Sequence, residues 1–240
     1  DIRLSLVAAE MWTRDRGIPA SQVLIGTGLS HGYVSAICLP NCPQALVAFY
    51  ACMSIGVVAA EHNPLAPAEE IHQQLDRHHG KVAIVWEKSV DAFIREGDKS
   101  LDTIFTVDIS AGMPRSQRML LSLPIERARQ TREQMRAARP KDARSWDQAV
   151  AHARLVHPDT PQATGDDLAV ILHTGGTNGV PKSVPLTHRN RGTNVNQCRM
   201  WVWKLHEGAE TFYSLLPYFH AYGVTFVMCA AVHLAATQLL

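Results

Sequence analysis

The chain has 240 residues, with 23 Lys and Arg against 22 Asp and Glu, for a formal net charge of +1. Such a balance makes no global field toward nucleic acid or an anionic surface, so charge must be read segment by segment. The length suits one large domain or two small ones with a sizeable core, and five cysteines scattered among apolar runs do not make a disulfide framework, which points to a reducing, cytoplasmic setting.

The chain opens at Asp1 without Met and enters an apolar pattern directly, which reads as a cut end. Val34 to Leu39 is a continuous apolar run, predicting a buried parallel strand. Cys38 and Cys42 have a C-x3-C spacing, but no second ligand cluster completes a zinc set, and they read as buried free thiols. Asn41 is placed to cap a helix with Pro43 in its first turn, running from Gln44 to Ile55 and stopped by Gly56. Val57 to Ala60 predicts a second strand. Pro67 to His79 predicts a second helix, with Glu69 and Glu70 at its start, His78 and His79 at its end, where cations favour the dipole and a metal role is not expected, and Gly80 as its stop. Lys81 to Trp86 is a third strand, and Leu101 to Val107 a fourth. Strand and helix in alternation predict an α/β fold, doubly wound, with mostly parallel sheets flanked by helices. Residues 1–110 form its first portion.

Composition shifts over residues 111–167. From Arg115 to Arg144 basic residues dominate, beside the apolar stretch Met119 to Ile125, which predicts a helical excursion from the sheet. It has two readings: a solvated helix surface, or a peripheral membrane contact in which the apolar stretch enters the headgroups and the arginines meet anionic lipid. His157 to Asp167, with two prolines, reads as a linker back.

Over residues 168–240, Leu168 to Leu172 predicts a buried strand that runs into Thr174-Gly-Gly-Thr-Asn-Gly-Val-Pro-Lys182. Ser183 to Leu186 predicts a strand leaving that loop. Thr187 caps a helix to about Leu205, Thr211 to Leu216 predicts another strand, His220 to Ala236 a largely helical stretch, and Thr237 to Leu240 a further strand. The longest apolar stretch, Val224 to Ala236, is too short to span a bilayer.

The Gly/Thr loop carries the chemistry. Glycines let successive N–H groups turn toward one point, Thr174 and Thr177 add hydroxyls, and Lys182 adds a full charge, as a polyphosphate requires. From Gly176 the spacing fits a P-loop, G-x4-G-K-[ST], except that Pro181 replaces the second Gly. Proline has no N–H to complete that cradle, and Ser183 before Val-Pro reads as extended where a P-loop enters a helix.

The loop instead resembles the signature of the adenylate-forming superfamily, the acyl- and aryl-CoA ligases, luciferases and adenylation domains, typically T-[SG]-G-T-T-G-x-P-K-G. Asn178 stands where Thr is usual and Ser183 where Gly is usual. Leu39 to Gln44 with Gly56 to Leu65 is similar to the amino-terminal region of such ligases. Leu216-Pro-Tyr-Phe-His-Ala-Tyr-Gly223 is similar to their aromatic/His motif, and the TGGT form with Leu186-Thr-His-Arg-Asn190 leans toward fatty-acid ligases. The resemblance covers nearly the whole chain and implies a truncated large N-terminal AMP-binding domain without the small mobile lid.

It further implies two reaction steps: a fatty acid attacks the α-phosphorus of ATP to give acyl-AMP, and the thiol of CoA then takes the acyl group. Thr174, Gly175, Gly176, Thr177, Gly179 and Lys182, with Asn178 as an adjunct, are assigned by resemblance to the phosphates, and His220 to the carboxylate and adenylate. Tyr218, Phe219 and Tyr222 line an acyl tunnel or pack as core. The Glu that helps hold Mg²⁺, the ribose Asp and the lid Lys are expected beyond Leu240, no protein residue here is assigned to a metal, and the chain alone is expected to turn over little or no substrate. An acyl-AMP ligase that loads a carrier protein and a non-catalytic AMP-binding-like domain stay open as other readings. The implied setting is cytoplasmic, with the Arg115–Arg144 block as the contact to the inner membrane face.

Overall fold

The computed structural model describes residues 3–4, 6–95, 97, 100–153, 163–174 and 182–240, with side chains from Arg16 onward. A two-residue strand β1 (Arg3–Leu4) leads into helix α1 (Leu6–Gly26), which the sequence reading did not foresee. Pro19 lies inside it, where a proline normally breaks the ladder. Packing outweighs the proline: Ala20 and Leu24 are fully buried in the main core with the following helix.

Strands β2 (Val34–Cys38), β3 (Val58–Glu61), β4 (Val82–Trp86) and β5 (Thr103–Val107) follow, with α2 (Pro43–Ser54) between the first pair and α3 (Ala68–His78) between the second. The N-cap of α2 is Cys42, in extended backbone and without a side-chain bond, and Pro43 takes the first helical position. Asn41, expected as that cap, is engaged elsewhere. Gly56 turns the chain after α2 at φ +68°, as read from the sequence. At the end of α3 the left-handed position is taken by His79 at φ 51°, one residue before the expected Gly80.

The basic block holds helices α4 (Arg115–Leu121) and α5 (Glu126–Met135). Before the linker the chain rejoins the sheet through β6 (Arg144–Ser145) and a short helix, α6 (Trp146–Ala151), both unforeseen. The hydroxyl of Ser145 caps α6 by accepting from the Gln148 amide, 3.3 Å, and Trp146 fills the core edge-on to Phe105. Strand β7 (Leu168–Thr174), strand β8 (Lys182–Thr187) and helix α7 (His188–Trp201) complete the large sheet region. Thr187 and Asn190 form the capping box of α7, each side chain bonding the other's backbone. The chain ends in β9 (Thr211–Tyr213), a π-helical segment (Gly223–Ala230) with a last α-turn (Ala231–His233), and β10 (Thr237–Leu239).

Two sheets result. A three-stranded one has the order β1-β10-β9; a seven-stranded one has the order β6-β5-β4-β2-β3-β7-β8, parallel throughout except for the antiparallel β7–β8 hairpin. The central strands read as nearly continuous apolar runs, interrupted by Ser35 and Glu61, because both faces are covered. Ile37, Val82 and Ile84 face the core shared with α1 and α2, while Ala36, Cys38, Ala83 and Val85 face Ile71 and Leu75 of α3. Among the described residues no helix is long and apolar enough to cross a membrane.

Candidate functional site

The helices after β2 and β3 pack on opposite faces of the sheet, so the carboxyl ends of these neighbouring strands form a topological switch point, the place where open α/β sheets bind ligands. Strand β7 lies beside β3 and parallel to it, so Thr174 emerges at the same edge. The hairpin then brings Lys182 directly opposite Thr174, with Ser183 opposite His173. Both ends of the Gly/Thr loop are thus pinned together and exposed. Strand β8 runs back antiparallel rather than entering a helix, which excludes the P-loop geometry. Gly175, Gly176, Thr177, Asn178 and Gly179 lie outside the described residues.

A second segment docks at that edge through Asn41. Its side-chain amide donates to the carbonyls of Ser214 (2.7 Å) and Leu216 (2.9 Å), and its Oδ1 accepts from the Tyr218 amide (2.9 Å). The asparagine amide offers two N–H donors and a carbonyl acceptor at once, which these three bonds use. Gly223 is required by close approach, since a Cβ there would run into the Pro217 carbonyl. The two residues hold the aromatic/His turn in shape. Tyr218 is not a tunnel residue: it is buried, and its hydroxyl meets Ser214 Oγ (3.0 Å) and Gln238 Oε1 (2.8 Å). Phe219 is half-buried and its ring lies tilted against that of His220, centroids 4.6 Å apart and planes 49° from parallel. His220 and Tyr222 are exposed, and the His220 carbonyl accepts the Val224 amide at the start of the π-helical segment.

Beneath the loop lies a group of residues that the sequence reading did not join. Glu61 ends β3 in the interior, and burial pushes its carboxyl up to about 8, against the pull of Arg191. Next to it, His62 Nε2 is 3.0 Å from His78 Nε2, and the His62 ring lies 4.8 Å from that of His173. The Gly80 amide donates to His78 Nδ1 (3.1 Å), which places the His78 proton on Nε2, facing His62. His62 then carries its own proton on Nδ1 and donates it to Gln74 Oε1 (2.6 Å), whose amide donates to Glu70. Burial holds His62 well below its ordinary range and brings His78 and His173 down to about 4. His78 is therefore a neutral interior ring, not the helix-end cation expected from its position. No short spacing announces this cluster; only its position at strand and helix ends hints at it.

The AMP-binding enzyme family profile matches residues 19–240. The chain belongs to that family. A long-chain-fatty-acid–CoA ligase of Bacillus subtilis (strain 168) is 29% identical over 214 residues, which cover 89% of this chain and 38% of that protein. ATP-bound MatB from Rhodopseudomonas palustris superposes with a TM-score of 0.72 at 21% identity, over 97% of this chain and 39% of that one. The N-terminal domain of FACL13 from Mycobacterium tuberculosis superposes with a TM-score of 0.71 at 20% identity, over 94% of this chain and 48% of that one. These likenesses show the fold, that of the N-terminal domain of adenylate-forming enzymes. This AMP-binding chain spans 38% of the length of the Bacillus ligase it matches.

Proposed function

We propose that this chain supplies the phosphate-loop portion of a fatty-acid–CoA ligase, which activates a fatty acid with ATP through acyl-AMP and passes the acyl group to CoA. The observation that carries this reading is the hairpin neck, where an exposed threonine and lysine face each other at the carboxyl edge of a parallel sheet. The similarity to long-chain ligases supports a fatty acid as the acid. A hydroxyl and an ammonium on opposite sides of a glycine-rich turn suit a nucleotide's anionic tail by charge and hydrogen bonding. In this reading Thr174 and Lys182 hold and orient the β- and γ-phosphates, with Gly175 to Gly179 donating between them. His220, on the turn clamped by Asn41, hydrogen-bonds the acyl oxygen and helps to exclude water. Mg²⁺, when bound, neutralises phosphate charge, and no residue of this chain is assigned to it.

ATP thermal shift on a full-length version of the protein tests the reading. ATP raises the melting temperature and Lys182→Ala removes most of that rise. No shift with ATP favours a non-catalytic domain instead. The chain alone is expected to release little or no fatty-acid-dependent pyrophosphate.

A membrane contact at the basic block is favoured by one specific observation. Met119, Leu120, Leu123 and Ile125 are 68, 58, 41 and 52% exposed on and beside α4 and α5, next to a cleft of about 350 Å³ lined by Arg115, Arg118, Arg132 and Arg136. Asp108 also lines that cleft and pairs with Arg136 (3.2 Å), so Arg115 and Arg118 are the cations that, with the apolar tip, suit an anionic bilayer face, where a ligase would meet fatty acids. Co-sedimentation with phosphatidylserine vesicles tests it: binding falls when Arg115 and Arg118 become Gln, and unchanged binding rules the contact out.

A further inference from the structure

We propose that His62, His78 and His173 form a binding site for a divalent transition-metal ion, with Zn²⁺ the best-fitting cation. The three residues come from the end of β3, the end of α3 and the end of β7. One ring nitrogen from each lies within 4.8 Å of the others. His62 and His78 are buried, and His173 is half-buried.

The donor chemistry points to a borderline-soft cation. Three neutral imidazoles suit Zn²⁺, Co²⁺ or Ni²⁺, whereas Mg²⁺ and Ca²⁺ require oxygen. Two of the rings already have the outer partners of metal-ligating histidines. His62 is oriented by Gln74 through Nδ1, which leaves Nε2 turned toward the cluster. His173 Nδ1 lies 3.2 Å from Ser183 Oγ, which is able to accept its proton, and His173 Nε2 is buried without a hydrogen-bond partner among the described residues. That orphaned nitrogen is the second mark of a ligand, because a buried acceptor left without a partner is a defect unless something fills it.

Occupancy changes two hydrogen bonds of His78 and the rotamer of His173. Around a tetrahedral zinc with Zn–N bonds of about 2.0–2.1 Å, ligand nitrogens stand about 3.3 Å apart. His62 and His78 are already near that separation, joined by a proton. The cation replaces that hydrogen bond, and the proton leaves His78 Nε2 for Nδ1, so all three rings stay neutral and the Gly80 amide loses its acceptor. His173 closes the remaining gap by side-chain rotation. Three protein ligands leave a fourth coordination position for water. A bound ion would join three elements directly under the neck of the phosphate loop, since His173 precedes Thr174 and faces Ser183 across the hairpin. This inference does not rest on nucleotide binding.

Titration of the full chain with Co²⁺, followed by its visible d–d absorption and displaced by Zn²⁺, tests the site. One equivalent is expected to bind with a tetrahedral spectrum and to raise the melting temperature. His78→Asn and His173→Gln, checked for folding by circular dichroism, each weaken binding at least tenfold, while His233→Gln, at an exposed position, leaves it unchanged. A folded native chain that shows no tetrahedral band and no thermal shift overturns the proposal. So does binding retained in both ligand variants, which would assign the cation to surface histidines. Should either ligand variant fail to fold, zinc-edge X-ray absorption of the native chain decides: three imidazole nitrogens support the site and fewer overturn it.

Discussion

Replacing Asn41 with alanine removes the link between the loop after β2 and the aromatic/His turn more than 170 positions away. Three hydrogen bonds of 2.7, 2.9 and 2.9 Å disappear together. Each is worth about 1 kcal/mol net, and the Tyr218 amide, left without its acceptor, adds to the loss. Asn41→Ala is therefore expected to destabilise the chain by about 2–4 kcal/mol, raising the unfolding equilibrium between about 30- and 900-fold. Urea unfolding measures this as a lower midpoint at unchanged slope. Limited proteolysis near the exposed Leu215 adds a local readout, since the turn should open before the sheet. Asn41→Asp keeps an acceptor for Tyr218 but points a carboxylate at two carbonyl oxygens, so it should not rescue. An alanine variant within about 0.5 kcal/mol of the parent, cleaved no faster, would refute the clamp.

Gly223→Ala places a methyl against the Pro217 carbonyl with Leu216 O also only 3.2 Å away, and backbone on both sides cannot yield cheaply. A loss of about 3 kcal/mol or more is expected by thermal melting, the upper part of the overpacking range. Trp146→Ala empties a fully enclosed site against Phe105 and should cost about 3–5 kcal/mol in urea unfolding, and Trp146→Phe markedly less. The Asp167 carboxyl is held down to about 2 by the amide and hydroxyl of Thr164 and by His31. Its folded value lies below its unfolded one, so its contribution is fully present above pH 3.8 and is lost as pH falls through 2. Asp167→Asn is expected to flatten this part of the acid-unfolding curve between pH 4 and 2.

Local devices were legible at single-residue scale. The Thr187 cap, the left-handed Gly56 and the first-turn Pro43 were all read from the sequence, and each is where the sequence put it; the reciprocal bond from Asn190 that completes a capping box was added by the structure. Others were legible but passed over: Ser145 followed by Gln148 is a capping pattern, and it starts α6. Helix α1 was hidden by Pro19, a residue whose local preference opposes the helix that packing on α2 imposes.

By itself the sequence determined the mostly parallel character of the sheet, because strands covered on both faces read as near-continuous apolar runs, with polar residues such as Ser35 and Glu61 the exceptions. It also determined the composition of the Gly/Thr loop and the end of the strand that leads into it. Tertiary structure alone decided that the loop's two ends face each other, that Tyr218 is core while His220 is open, that Asn41 serves a distant turn rather than its neighbouring helix, and that three histidines meet. The physical reason is range. Caps, turns and strand runs are settled by forces acting over a few residues, which spacing records. A meeting of His62, His78 and His173 depends on the order in which strands pair, and side chains far apart in the chain acquire a common environment only after the sheet has closed.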